Sequence, residues 1–494
     1  MSVDICFVSP AQRAYNHHRP PLALMFLAAY LEKLGINTKI IDPIAKYKVS
    51  VEVKRVIEYK IIEEVTKFAP LIVGISCYTP EFNDVLELAS KIKKNINTRI
   101  VIGGVHPTLR PEDFFFKDSP VDFVVIGEGE NTLAELTQAI LKKDGDFGRI
   151  NGIGYFDRDK LGYRQTDVRK SIDDLDGLPF PAYKRVDMNY YTTPNPYAVR
   201  GLFLSSFYIL VGRGCPSQCS FCVSAQLRKI LSPEKSLRCR SAKNVVNEIE
   251  FLKDNYKIDS FYFIDDNFTL RRDLVFEICE ELEKRKINLI WSCSARINNL
   301  SLELLRKMKK VGCAQIDLGV ESGSDAVLKR LKKGITVRQI KEVFNFCRQA
   351  GIRTFANILI NVPEETEEEI KETLMLLDEI KPSVVSFNIF IPYLGTEIYQ
   401  ALKVNLCPEE YSLLGESPWK LLLDSRFRFA KHSLDFNDFY RRNHRRYNHI
   451  YNFLRDYFSW YYFRQLCMSR RKKDYFLKLG DLVGEYFKQM GLAG

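Results

Sequence analysis

Two runs of short apolar segments alternating with amphipathic ones fix the fold class of this chain. In the first run, residues 5–8, 39–41, 71–76, 99–102 and 123–126 read as strands. Residues 20–34 read as a helix with Leu24, Leu27, Ala28 and Leu31 on one face. Strands alternating with helices predict an α/β domain with a doubly wound parallel sheet over residues 1–140. Ligands of such sheets sit at the carboxyl ends of the strands. Here those ends run into Ser76, the pair Gly103-Gly104, and Gly127-Glu128. Glycine after a strand lets backbone come close to a ligand. Residues 141–204 are broken by Gly, Pro and Asp, as in Leu175-Asp176-Gly177-Leu178-Pro179, and read as a linker strap. The second run occupies 205–400, with strands expected at 208–211, 260–264, 289–294, 315–318, 354–360 and 384–390. Six strand–helix units are too few for a closed eight-stranded barrel. Residues 401–494 read as a helical C-terminal domain.

The first strand of the second run leads into Gly212-Arg213-Gly214-Cys215-Pro216-Ser217-Gln218-Cys219-Ser220-Phe221-Cys222. Three thiolates on one loop can hold three irons of a [4Fe–4S] cluster. Such clusters ordinarily take four cysteines, so the fourth iron is left open to a ligand. A zinc loop is the competing reading; it needs a fourth Cys or His nearby, and the nearest candidate is Cys239. The other nine of the 12 cysteines are scattered singly. That pattern fits a reducing cytoplasm and excludes a secreted disulfide scaffold. The N-terminus shows no signal-peptide pattern, and no apolar stretch is long enough to span a bilayer.

The CxxxCxxC spacing after a strand resembles the signature of radical S-adenosylmethionine (SAM) enzymes, and further strings match that superfamily in order. The resemblance implies an open (β/α)6 partial barrel with chemistry at the strand C-terminal ends. It implies that Cys215, Cys219 and Cys222 ligate the cluster, with Phe221 beside them, and that the open iron chelates SAM. Phe263-Ile264-Asp265-Asp266 is similar to the region that meets the SAM amino group. Ser294 and Arg296 end the third strand, and Arg296 suits the SAM carboxylate because its planar fork matches that geometry. Glu321 and Ser322 follow the fourth strand, with Glu321 an acceptor for ribose hydroxyls. A structural ion pair is the alternative for Arg296 and Glu321. Asn361-Val362-Pro363-Glu364-Glu365-Thr366 resembles a Gly-x-Pro-x-Glu-Thr string at the adenine, with Asn361 in place of Gly. Asn tolerates left-handed backbone, so the turn is expected to survive. Ile391-Pro392-Tyr393-Leu394-Gly395-Thr396 resembles the string that closes the core.

The N-terminal domain is similar to the cobalamin-binding domain of class B radical SAM methyltransferases. The resemblance implies that Ser76, Gly103, Gly104, Gly127 and Glu128 line a cobalamin site. There is no Asp-x-His-x-x-Gly string, so no histidine is expected to replace the lower axial base; His106 reads equally as a residue satisfied within its loop. The implied cofactors are a [4Fe–4S] cluster, SAM and cobalamin, with electrons from a donor such as flavodoxin or ferredoxin. The cofactors supply the hard step and the protein supplies position. The implied reaction is modification of an unactivated carbon, foremost C-methylation of a lipid or secondary metabolite.

Three alternatives remain at this point. One is a cobalamin-dependent radical cyclase or rearrangement enzyme of tetrapyrrole type. Another is a tRNA methylthiotransferase-like enzyme; these carry three N-terminal cysteines, and this chain has only Cys6 and Cys77 there. The last is a non-catalytic cobalamin-responsive protein, which would not need the cysteine triad. Net charge is +11, and the C-terminal region interleaves Arg441, Arg442, Arg445 and Arg446 with aromatics. That reads as a helical domain with solvated charges, or as a surface for peripheral membrane contact. Nucleic acid is not the expected partner, and the expected location is the cytoplasm.

Overall fold

The computed structural model describes residues 3–10, 19–46, 54–157, 162–231, 237–416, 418–448 and 460–477. His17 and His18, and the C-terminal aromatics Tyr451, Phe453, Tyr457 and Phe458, lie outside them. The chain divides into two compact units, and their boundaries cross the linear order. The first unit comprises 1–187, 214–238 and 391–427; the second comprises 188–213, 239–390 and 428–494.

The first unit is built on a seven-stranded sheet. Its strands are β1 (Ile5–Val8), β2 (Thr38–Ile41), β3 (Ile72–Ser76), β4 (Arg99–Gly103), β5 (Phe123–Val125), β6 (Ile153–Asp157) and β7 (Gly162–Gln165). The order is β2-β1-β3-β4-β5-β6-β7. The first five strands run parallel; β6 and β7 are antiparallel additions. The hairpin falls in the stretch read from sequence as a strap. Its strands are short and half exposed, so no apolar run marks them. Helices α1 (Leu22–Lys33), α2 (Lys54–Phe68), α3 (Phe82–Asn95), α4 (Val105–Leu109) and α5 (Gly129–Leu141) connect the strands. Ile5, Phe7, Val73, Ile100 and Val124 on the sheet and Leu31, Val85 and Leu136 on helices are buried. Parallel strands covered on both faces must be apolar throughout, which is why they read as continuous runs. Helix α6 (Val223–Leu231) follows the cysteine loop within this unit.

The second unit carries six parallel strands: β8 (Ser206–Ile209), β9 (Ser260–Phe263), β10 (Ile290–Ala295), β11 (Cys313–Glu321), β12 (Arg353–Ile360) and β13 (Val384–Ile389). They lie in sequential order, so each strand pairs with the next. Helices α7 (Ala242–Tyr256), α8 (Arg272–Lys284), α9 (Leu302–Lys310), α10 (Val337–Ala350) and α11 (Glu367–Ile380) intervene. The two faces of this sheet differ. Register places Phe207, Phe261, Cys293, Ile316, Ala356 and Phe387 on one face and Tyr208, Tyr262, Ser294, Asp317 and Asn357 on the other. The apolar face is the helix-covered core; the polar face is the barrel interior. Where the strands begin, Val199, Leu202, Leu204, Ile290, Ala314 and Tyr462 form an apolar plug. Helix α12 (Phe436–Tyr447) packs Phe439 edge-on against Phe387 at 5.5 Å. The architecture is the expected one: a doubly wound domain, a six-stranded parallel (β/α) sheet and a helical C-terminal region. Among the described residues no helix is long and apolar enough to cross a membrane.

Candidate active site

In the first unit the loops after β3, β4 and β5 are tied together by backbone. The Cys77 amide donates to Gly103 O at 2.8 Å and the His106 amide to Cys77 O at 3.2 Å. A Cβ on Gly104 would stand 2.9 Å from Cys77 O, and its φ is +114°, so this crossing requires glycine. Gly103 differs: its missing Cβ would meet Val125 Cβ at 3.9 Å, an ordinary contact. Thr108 joins the next two loops, donating to Gly104 O at 2.7 Å and accepting from the Gly127 amide at 3.0 Å. Gly127 has φ +85°, and a Cβ there would meet the Leu231 side chain of α6 at 2.6 Å. The Glu128 carboxylate is held by both Arg238 amino groups, at 2.9 and 2.8 Å, and by the Ile172 amide at 2.8 Å. Of the residues expected near cobalamin, Ser76 and Gly103 are the last residues of β3 and β4, while Gly104, Gly127 and Glu128 have close partners within the protein.

His106 is fully buried. Its Nδ1 lies 3.1 Å from Thr79 Oγ1 and its Nε2 3.5 Å from Asp113 Oδ2, with the rings of Phe82, Phe114 and Tyr411 around it. Tyr411 donates to the same Asp113 oxygen at 2.8 Å. This is a core residue. Burial pulls its pKa down to about 4, against the opposing pull of Asp113. The unfolded chain therefore binds the proton first as pH falls, and stability is lost between pH 6.5 and about 4. His106→Gln is expected to flatten the dependence of the urea midpoint on pH over that window.

The cysteine loop begins at Gly214 with φ +101°. Cys215 is 8% exposed and Cys219 5%; Cys222 is half-buried, and none of the three is in a disulfide. Arg228 of α6 donates to Pro216 O at 2.8 Å, and the Ile398 amide donates to Ser220 O at 3.1 Å. The loop is thus held by the helix that follows it and by the string at 391–399. Among the described residues no three ligating side chains are already gathered round one point. The donor set, three thiols on one loop with a half-buried Phe221, nonetheless fits an iron–sulfur cluster in chemistry.

In the second unit, the strand ends carry the remaining residues. Asp265 is buried, and its two oxygens accept from the Val211 and Gly212 amides at 3.1 and 2.5 Å. Burial pushes its pKa up to about 7, with those two bonds opposing. Its neighbour Asp266 is exposed. Ser294 Oγ lies 2.7 Å from the Tyr262 hydroxyl, which donates to Asp317 at 3.2 Å. Arg296 donates to Lys333 O. Glu321 has φ +64° and its Oε1 lies 2.5 Å from Lys333 Nζ, both side chains being buried. A Cβ on Gly319 would come within 2.5 Å of both atoms, so the pair depends on that glycine. Ser322 is buried, with its hydroxyl 3.1 Å from Thr373 Oγ1. Pro363 follows Val362 in the turn after β12, and Asn361 has φ +65°, the left-handed conformation that its side chain suits. Thr366 opens α11 with a capping box to Glu369.

Sequence reasoning missed Lys333, Tyr262 and Asp317. Lys333 stands in the run Lys332-Lys333-Gly334, which reads as solvated charge. Tyr262 and Asp317 sit inside apolar runs, and only register shows them on the polar face. Asp317 also accepts from Gln315 at 2.8 Å, and burial raises its pKa, with Arg200 the main opposing charge.

A parallel α/β unit with glycine-rich strand ends and a six-stranded (β/α) unit, with a three-thiol loop, define a cobalamin-type domain joined to a radical SAM-type core. The family comparisons agree with this. The B12 binding domain model matches residues 12–137 and the Radical SAM superfamily model residues 209–377. An uncharacterized methyltransferase of Pyrococcus horikoshii is 31% identical over 395 residues, 79% of this chain and 80% of the relative. The anaerobic magnesium-protoporphyrin IX monomethyl ester cyclase of Rubrivivax gelatinosus is 28% identical, over 78% of this chain and 66% of the cyclase. The solved structure of the radical SAM methyltransferase TsrM from Kitasatospora setae has the same fold, with a TM-score of 0.65 at 20% identity over 83% of this chain and 80% of that one. The chain belongs to the B12-binding radical SAM family. It is a methyltransferase-like enzyme with a [4Fe–4S] cluster, SAM and cobalamin as cofactors.

Proposed function

We propose that this enzyme methylates an unactivated carbon of a small lipid or secondary-metabolite substrate. The observation that carries this reading is the methyltransferase relative that is 31% identical across four-fifths of both chains. When bound, the cofactors supply reductive SAM cleavage, a hydrogen-abstracting radical and a transferable methyl group. Cys215, Cys219 and Cys222 would hold the cluster through their thiolates. Asp266, exposed beside buried Asp265, would accept from the SAM ammonium. Arg296, Ser294, Glu321, Ser322 and Pro363 would meet the rest of SAM at the strand ends. Ser76 and Gly103, with the Gly104 and Gly127 turns, would take cobalamin. Tyr262, Asp317 and Ser294 form a hydrogen-bonded polar face in the barrel that would orient a substrate bearing polar groups. A flavodoxin or ferredoxin would deliver the electron.

The similarity to a ring cyclase favours a second reading, radical ring formation without methyl transfer. One assay separates them. Anaerobically reconstituted enzyme, loaded with hydroxocobalamin, is incubated with SAM, reductant and candidate substrates. Methylation yields 5′-deoxyadenosine and S-adenosylhomocysteine together, with label from methyl-deuterated SAM in the product. Cyclisation yields 5′-deoxyadenosine alone. Absence of both products from iron-replete protein would refute either reading.

A further inference from the structure

We propose that the segment from Phe429 to His432, outside the matched radical SAM region, is part of the SAM site: it clamps the Asn361–Glu365 turn from behind, and His432 is its positioning residue. The inference rests on the reading above that this turn meets the adenine of SAM.

The turn is one that short-range forces disfavour. Asn361 and Glu364 are both left-handed, with φ +65° and +64°. Such backbone persists only where its surroundings over-determine it, and here the surroundings are the segment at 429–432. Asn361 Oδ1 accepts from the Phe429 amide at 3.0 Å and the Ala430 amide at 3.4 Å. The Glu364 amide donates to Phe429 O at 3.0 Å and the Lys431 amide to Glu365 O at 2.8 Å. Lys431 also pairs with the Glu364 carboxylate. The Phe429 ring meets Phe390 edge-on at 5.6 Å.

Behind these bonds lies a buried polar pair. The His432 and Glu365 side chains are each 1% exposed, with Nε2 3.6 Å from Glu365 Oε2. That distance exceeds a hydrogen bond, and neither ring nitrogen has a hydrogen-bond partner. The ring packs on Phe436 at 5.4 Å. Glu365 Oε2 accepts from the Val362 amide at 3.3 Å, so its carboxylate reaches the residue before Pro363. Burial raises the Glu365 pKa, and His432 opposes that shift most strongly. A well-packed apolar pair would ordinarily serve stability as well or better. What the polar pair supplies is a fixed place for one carboxylate, and through it for the Val362-Pro363 backbone.

The test uses reconstituted full-length enzyme. Binding of labelled SAM is measured by equilibrium dialysis, 5′-deoxyadenosine formation is followed against SAM concentration, and urea midpoints are recorded in parallel. His432→Ala and Glu365→Gln are each expected to raise the SAM Kd and KM about tenfold while the maximal rate stays within roughly twofold. The double variant is expected to be no worse than either single one, because both act through one contact. His432→Gln, whose amide can donate to Glu365, is expected to recover most of the affinity. If His432→Ala does not fold, Glu365→Gln and His432→Gln decide. Folded variants with wild-type SAM affinity would overturn the clamp alone; wild-type enzyme that binds no SAM would overturn the reading of the turn together with it.

Discussion

Replacing Cys215, Cys219 and Cys222 together by alanine will leave a folded protein that holds almost no iron after anaerobic reconstitution and forms no detectable 5′-deoxyadenosine. The three thiols are the only cysteines on that loop, so no neighbour takes their place. Structural loss is expected to be small. The loop is held by Arg228 at Pro216 O and by the Ile398 amide at Ser220 O, and neither bond uses a thiol. Circular dichroism and the urea midpoint should therefore stay close to wild type while the visible and electron paramagnetic signals of the cluster vanish. Cys239→Ala is the control that separates iron from zinc. Burial raises the pKa of that thiol to about 11, which disfavours the thiolate a metal needs. Iron retained in Cys239→Ala and lost in the triple variant is the expected pair of results. Zinc bound in wild-type protein and lost with Cys239 would contradict the cluster assignment.

The second large effect separates two adjacent acids. Asp265→Ala is expected to destabilise the protein by about 2–6 kcal/mol, because the Val211 and Gly212 amides lose their acceptor in a buried place, at roughly 1–3 kcal/mol each. Gly212 stands three residues before Cys215 in the chain, so iron retention should fall as well. Asp265→Asn keeps one acceptor oxygen and should recover part of the loss. Asp266→Ala should behave differently. That residue is exposed, so the urea midpoint should stay within the small range of surface substitutions, about 0.5 kcal/mol. The SAM KM should rise instead. Urea titration and SAM-dependent 5′-deoxyadenosine formation on both variants check the contrast. Equal effects on stability would show that the two acids share one role.

These two residues mark how far the chain could be read before its structure was known. Asp265-Asp266 stood out as a pair of acceptors at a strand end, and both are at a strand end. Which of them is buried depends on the Val211 and Gly212 amides, more than 50 residues earlier, and no local pattern reports that. Glu128 is a similar case. It was legible as a polar residue in a glycine-rich turn, but its carboxylate is gripped by Arg238, which lies 110 residues on. Glu321 was legible as an acceptor. Its partner Lys333 was not, because a lysine in a charge run reads as solvated until packing buries it.

The features legible along the chain are therefore periodic or local. The strands follow from apolar runs of the right length, and the six-unit count follows from their spacing. The three-thiol loop follows from CxxxCxxC, and asparagine at position 361 permits left-handed backbone there. Such features are set by interactions within a few residues, and these are written in order along the chain. Tertiary structure decided the pairings: Arg238 on Glu128, Lys333 on Glu321, His432 behind Glu365, and the β6–β7 hairpin added to the edge of the first sheet. Each joins elements whose approach is fixed by the burial of other residues. A charge or a ring nitrogen acquires its partner, its exposure and its pKa only once that burial has occurred.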